Sequence, residues 1–297
     1  MFGSQFFKIY SIHCVSIRVD KLTKLFKVSY LGPEGTFSQL AATSYFSGEQ
    51  NYIPLLSIDD VFSSVESEET DFGVVPVENS TEGAVNNTQD CLVDTTLQIS
   101  GEVVVPITHN LMISHDLPGD KNPQLIVSHR QSLAQCRQWL NATYPEVPLE
   151  EVSSNAKAAQ LASQQQGVAA IAGELAAQIY KLKIVQRSIQ DKSNNSTRFL
   201  VLSHSCSAAT GKDKTSILVY THNKPGALFR ILEPFEKLGI SLSKIETRPS
   251  KIEAWEYVFF MDFDGHREDS RVINLFSQLK ACTAEVKVLG SYPQFGS

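Results

Sequence analysis

Between residues 28 and 203, short apolar runs alternate with helix-length amphipathic stretches, and this rhythm limits the fold more than any other feature. The apolar runs cover 28–31, 73–77, 103–106, 111–114, 125–127, 168–172 and 199–202. The stretches with helical spacing cover 38–46, 59–66, 83–92, 132–140, 156–164 and 174–180. Strand and helix in turn predict an α/β domain with a mainly parallel sheet.

Several runs end in polar residues at helix-cap spacing. Thr36 and Gln39 follow the first, Asn79 and Glu82 the second, and Ser128 and Gln131 the run at 125–127. Each pair has the spacing of a capping box. In open α/β sheets, ligands sit beyond the carboxyl ends of the strands, where helix N-termini offer free N–H groups to anions. The segment Asn194-Asn195-Ser196-Thr197-Arg198-Phe199 belongs with these ends. It presents a hydroxyl and a guanidinium at the start of the apolar run 199–202, an arrangement suited to an anionic small molecule. His109 and His115 flank the run at 111–114.

Composition removes several classes of function. A net charge of -6 and a pI near 5.7 argue against a nucleic-acid or anionic-membrane partner. No apolar run approaches the ~18 residues of a membrane span. The 5 cysteines form no CxxC and no disulfide framework, which points to a reducing compartment. The 7 histidines show no metal-ligand spacing, so no metal is expected. Neither GxGxxG nor a Walker A motif appears, and no nucleotide cofactor is expected. Residues 1–27 hold a single acidic residue, Asp20, and read as a disordered leader. An organelle transit sequence is the weaker alternative to a cytoplasmic location.

The small, polar stretch 204–213 separates this domain from a differently patterned one at 214–290. There 215–221 reads as a strand, and Lys224-Pro225-Gly226 as part of a turn. Leu228, Ile231, Leu232, Phe235 and Leu238 recur at helical spacing. Strands at 242–248 and 255–263, a helix through Val272, Leu275, Phe276 and Leu279, and a strand at 286–289 complete a βαββαβ, ferredoxin-like order.

These segments together resemble the prephenate dehydratase family. The resemblance rests on Leu31-Gly32-Pro33-Glu34-Gly35-Thr36-Phe37-Ser38, Pro76-Val77-Glu78-Asn79-Ser80, Ser128-His129-x-Gln131 and Thr197-Arg198-Phe199. In the second region, Lys224-Pro225-Gly226-Ala227-Leu228 resembles the effector loop of an ACT domain, and Glu246-Thr247-Arg248-Pro249 its ESRP motif. Arg130 stands where the family has proline, and Thr247 where it has serine. The resemblance implies a two-lobed catalytic domain like a type II periplasmic binding protein, at 28–203, with a regulatory ACT domain at 214–290. It implies decarboxylative dehydration of prephenate to phenylpyruvate, without cofactor, inhibited by L-phenylalanine. It also implies a homodimer or homotetramer formed through the ACT domains. No chorismate mutase domain precedes residue 28, so the implied enzyme is monofunctional.

The chemistry asks for a proton donor to a leaving hydroxyl, and Thr197 is the expected catalytic residue. Thr36, Ser38, Asn79, Ser80, Gln131, Arg198 and Phe199 are expected around the substrate, with Arg198 as a carboxylate clamp or cationic support. Asn223, Gly226, Ala227, Leu228, Glu246 and Arg248 are expected around the effector. An ion pair between Glu246 and Arg248 is the alternative for those two. An arogenate dehydratase and a non-catalytic amino-acid sensor are the competing functions.

Overall fold

The computed structural model describes residues 25–115, 122–221, 224–249 and 257–296. The first lobe opens with β1 (Lys27–Leu31), α1 (Phe37–Tyr45), β2 (Asn51–Leu55), α2 (Ile58–Glu66) and β3 (Phe72–Asn79). It continues through β4 (Gly83–Ala84), α3 (Asn86–Asp94) and β5 (Gln98–Pro106). The second lobe holds β6 (Asn110–Ile113), β7 (Leu125–His129), α4 (Arg130–Gln135), α5 (Arg137–Thr143) and β8 (Leu149–Val152). Its remaining elements are α6 (Asn155–Gln164), β9 (Val168–Ala172), α7 (Glu174–Ile179) and β10 (Lys183–Gln186). The chain then returns to the first lobe as β11 (Ser196–Ser203). A C-terminal unit follows: β12 (Asp213–Tyr220), α8 (Ala227–Lys237), β13 (Leu242–Pro249), β14 (Tyr257–Asp264), α9 (Ser270–Cys282) and β15 (Glu285–Pro293).

The three sheets run β2-β1-β3-β11-β5, β10-β6-β9-β7-β8 and β13-β14-β12-β15, with β4 paired to β3. Both lobe sheets are mixed, which corrects the expectation of a mainly parallel sheet. β1 is parallel to β2 and β3, but β11 runs antiparallel to β3 and β5. β11 enters from the other lobe, so it comes into the sheet from the opposite end. The strands that local pattern missed, β2, β8 and β10, lie at sheet edges. Their partly exposed residues lack the apolar signature of a central strand.

The C-terminal unit has the expected βαββαβ order, and strand alternation divides its sheet cleanly. Ile217, Val219, Phe259, Met261 and Phe263 pack under α8 and α9. Leu218, Val258, Phe260, Leu289 and Tyr292 point the other way, into a core shared with Val75, Val77, Leu200 and Leu202 of lobe one. Each such side chain contributes about 1.5–3 kcal/mol on burial, so the C-terminal sheet is docked on the back of lobe one. The approach is close at Gly290, where a Cβ would stand 2.2 Å from the Ile99 carbonyl oxygen.

Candidate active site

A cleft of about 910 Å³ lies between the two lobes. The chain crosses from one lobe to the other after β5 and before β11. These crossings are tied together where the Ile107 N–H donates to the Asn195 carbonyl at 2.9 Å. Thr197, the second residue of β11, lines the cleft beside Phe199, which lies on the same strand face and is buried. Asn79, at the end of β3, stands directly opposite Thr197.

The hydrogen bonds around Thr197 have a defined polarity. The Asn79 Oδ1 accepts the backbone N–H groups of Thr81 and Glu82 at 2.9 and 3.1 Å, which fixes the amide with Nδ2 toward β11. Asn79 Nδ2 then donates to Thr197 Oγ1 at 2.8 Å and to Asn195 Oδ1 at 2.9 Å. The threonine oxygen is thus an acceptor within the wall, and its O–H is the group it can offer to a ligand. This also corrects the expectation of a helix cap at Asn79 and Glu82: the amide closes a turn between β3 and β4, and α3 starts later.

The network continues into lobe two. Asn195 Nδ2 donates to Gln135 Oε1 at 3.0 Å, and the same oxygen lies 2.8 Å from His109 Nε2. Two donors converging on a carbonyl oxygen place the histidine proton on Nε2. His109 Nδ1 is left as a lone pair, buried and without a hydrogen-bond partner. Burial pushes this histidine below its ordinary 6.5, so it is neutral at pH 7. The sequence showed His109 at a strand end but gave no reason to place it in the site.

Lobe two supplies a second polar wall. Asn155 Oδ1, at the start of α6, accepts Ser128 Oγ at 3.1 Å, Ser132 Oγ at 2.9 Å and the His129 N–H at 3.3 Å. Lys157 stands in the first turn of α6 and is the only Lys or Arg among the described residues lining the cleft. Sequence reasoning missed both because β8, which leads to them, is polar and reads as loop.

Family models match in the same order as the lobes and the C-terminal sheet: prephenate dehydratase over residues 28–207 and an ACT domain over 215–281. The chain belongs to the prephenate dehydratase family. A bifunctional chorismate mutase/prephenate dehydratase of Aquifex aeolicus is 47% identical over 273 residues, covering 92% of this chain and 75% of that protein. The prephenate dehydratase of Bacillus subtilis is 34% identical over 282 residues, covering 91% and 99%. Among solved structures, a prephenate dehydratase from Arthrobacter aurescens in complex with L-Phe superposes with a TM-score of 0.83 at 32% identity, covering 90% of each chain. The two-lobed catalytic fold and the ferredoxin-like ACT domain expected from sequence are both present.

Set in this dehydratase frame, the expected substrate residues divide. Thr36, Ser38, Asn79, Gln131, Thr197 and Phe199 line the cleft. Thr36 caps α1, accepting the Gln39 N–H at 3.3 Å, and Ser38 lies in the first turn of that helix. Ser80 is not among the lining residues. It ties down the entry to β11, donating to the Asn194 carbonyl at 3.3 Å and accepting the Ser196 N–H at 3.0 Å.

Arg198 requires a correction. Strand alternation turns it to the opposite face of the sheet from Thr197, toward the ACT domain. Its Nε donates to Glu102 Oε2 at 2.7 Å, Nη1 to Asp262 Oδ2 at 2.5 Å and Nη2 to Tyr292 Oη at 2.9 Å. Lys214 completes the cluster with two contacts to Glu102, at 2.8 and 3.0 Å. Burial alone would lower the guanidinium's affinity for its proton, but Asp262, Tyr292 and Glu102 more than offset that. Arg198 is therefore neither a carboxylate clamp nor a cation in the cleft.

Of the expected effector residues, Asn223 lies outside the described residues. Gly226 adopts φ 77°, a left-handed conformation that favours glycine, and starts α8, with Ala227 and Leu228 in its first turn. Glu246 and Arg248 do not pair with each other. Glu246 lies 3.2 Å from Lys244 Nζ, whereas Arg248 Nη2 meets Asp90 of α3 at 2.6 Å and Nη1 meets Asn86. The structure gives Arg248 to the interface with lobe one.

Proposed function

We propose that the cleft converts prephenate to phenylpyruvate, carbon dioxide and water. The carrying observation is the Thr197 hydroxyl, held as a wall acceptor by Asn79 so that its O–H serves the cleft. As the ring carboxylate leaves as carbon dioxide, its bonding electrons enter the ring and the C4–O bond breaks. The departing hydroxide takes up one proton from solvent to become water. Thr197 donates a hydrogen bond to that oxygen as charge develops on it, which lowers the barrier without requiring a strong acid.

Positioning supplies the rest. The N-terminal turns of α1 and α6, with Lys157, meet the carboxylates, and Phe199 forms an apolar wall beside Thr197. The ACT domain at 214–290, joined through 204–213, takes L-phenylalanine as an inhibitory effector at the start of α8 and along β13. Two or four copies assemble through these domains. Purified protein should release phenylpyruvate from prephenate at a higher kcat/KM than it turns over arogenate. Saturable binding of prephenate with no product would overturn the reading and favour a sensor. A preference for arogenate would move the assignment to that substrate.

A further inference from the structure

The catalytic pair and an interdomain pair occupy adjacent, in-register positions. Thr197 pairs with Asn79 across β11 and β3, and Arg198 pairs with Glu78. Thr197 and Asn79 face the cleft. Their neighbours reach the ACT sheet: Arg198 to Asp262 of β14 and Tyr292 of β15, and Glu78 to Lys244 of β13 at 2.9 Å. The register of β11 against β3 shifts at the next step, between Arg198 and Phe199. Such an irregularity is where a strand re-aims its side chains most easily.

Lys244 is shared. Its ammonium lies 2.9 Å from Glu78 of the catalytic domain and 3.2 Å from Glu246 on its own strand. The Lys244 side chain is only 12% exposed, whereas Glu78 and Glu246 are 41% and 27% exposed, so the ammonium is fixed in place while water competes for both carboxylates and the balance between them is easily shifted. An amino acid bound at β13 brings an ammonium of its own, for which Glu246 is the natural partner. Any contact made there weakens the hold of Glu246 on Lys244 and leaves Lys244 to Glu78.

We propose that Lys244 and Glu78 are the coupling residues through which the occupied effector site acts on Asn79 and Thr197. Glu78 acts as a positioning residue, through Asn79, and touches no reacting atom. Arg198 anchors the other strand of the pair to the same sheet, so a shift of β13 relative to β14 is felt as a change in the register of Asn79 against Thr197. Coupling of this kind is reciprocal: substrate in the cleft must weaken the effector by the same factor. The inference rests on the prephenate dehydratase reading with L-phenylalanine as effector.

The test uses the full chain with Glu78→Gln, Lys244→Met and the conservative Lys244→Arg. Prephenate turnover is measured across a series of L-phenylalanine concentrations. Glu78→Gln and Lys244→Met should each raise the half-inhibiting concentration by about tenfold or more, within the usual range of coupling strengths. KM for prephenate should not follow, and Lys244→Arg should retain inhibition. The double variant should be no less sensitive than either single one, because both remove the same link. Half-inhibition unchanged in both single variants overturns the coupling while leaving the enzyme assignment intact. A large rise in KM for Glu78→Gln also overturns it, by making Glu78 a substrate contact. Wild-type protein that turns over prephenate but ignores L-phenylalanine overturns the effector reading and the coupling together.

Discussion

The polarity of the Asn79–Thr197 hydrogen bond can be tested by substitutions at its two residues. Thr197→Val removes the hydroxyl and keeps the β-branch that fixes the rotamer on β11. Asn79 Nδ2 keeps one of its two N–H bonds, to Asn195 Oδ1 at 2.9 Å, and loses the acceptor of the other, so the stability loss should be about 1–3 kcal/mol. The rate loss should be larger, because a donor aimed at developing charge on oxygen is worth roughly 10²–10³ in kcat, or about 2.7–4 kcal/mol. KM should move little, since the bond strengthens only as C4–O breaks. Asn79→Asp is the sharper variant. Its Oδ1 can still accept from Thr81 and Glu82, but an acceptor replaces the donor facing Thr197. The threonine O–H then turns into the wall to donate to the carboxylate and is withdrawn from the cleft. Asn79→Asp should therefore lose kcat on the scale of Thr197→Val and also lower the thermal midpoint, because the new oxygen faces the Asn195 Oδ1 acceptor as well, while Thr197→Ser keeps most of its rate. Steady-state turnover of prephenate beside a thermal melt separates the outcomes. Near-wild-type kcat in either Thr197→Val or Asn79→Asp would refute the assigned role of the hydroxyl.

Three further predictions concern the surroundings of the site. Arg198→Met removes one of two cations, Arg198 and Lys214, that balance Glu102 and Asp262, and leaves a buried carboxylate uncompensated. It should cost about 3–5 kcal/mol in chemical denaturation and leave KM for prephenate unchanged, whereas a carboxylate clamp would raise KM steeply. His109 is depressed below 6.5 by burial, so its contribution to stability is present above that pH and is lost as pH falls from 6.5 toward the folded-state value. The slope is about 1.4 kcal/mol per pH unit in that window, and comparing denaturation of wild type and His109→Gln between neutral and mildly acidic pH should show it disappear in the variant. Gly290→Ala should lose about 1–3 kcal/mol or more, because its Cβ would meet the Ile99 carbonyl oxygen at 2.2 Å and push β15 off lobe one. Unfolding like the wild type in denaturant would mean that the two sheets are less tightly docked than this contact implies.

The parts of the fold carried by periodicity could be read from the chain. Central strands such as β9, with every residue buried, appear as unbroken apolar runs, and the amphipathic helices of the ACT domain appear at their true spacing. Edge strands did not stand out, because one side of each faces solvent and its side chains follow no hydrophobic rule. The crossing of β11 into lobe one was also hidden. Strand direction depends on where the preceding segment ended in space, and local sequence holds no record of that. In the site, Thr197, Asn79 and Ser38 were visible as polar residues at strand ends. Asn155 and Lys157 were not, since the strand before them had already escaped notice.

Arg198 shows a subtler limit, and also the sequence signal that would have overcome it. Placing Arg198 in the cleft followed from its position beside Thr197, but neighbours on a strand face opposite ways. One of the two had to leave the cleft. The arginine could leave only if the far face of β11 met partners able to satisfy a buried guanidinium. Those partners are legible. Glu102 sits among the apolar residues of β5, and Asp262 between Met261 and Phe263 on β14. A lone charge inside an apolar strand is costly unless it is paired, so three such charges on separate strands predict one another. Followed through, that rule places Arg198 against Glu102 and Asp262, and so brings the C-terminal sheet to the back of lobe one. The chain thus encodes the contact between its C-terminal and two-lobed parts as isolated charges within strands, one of them next to Thr197 at the cleft.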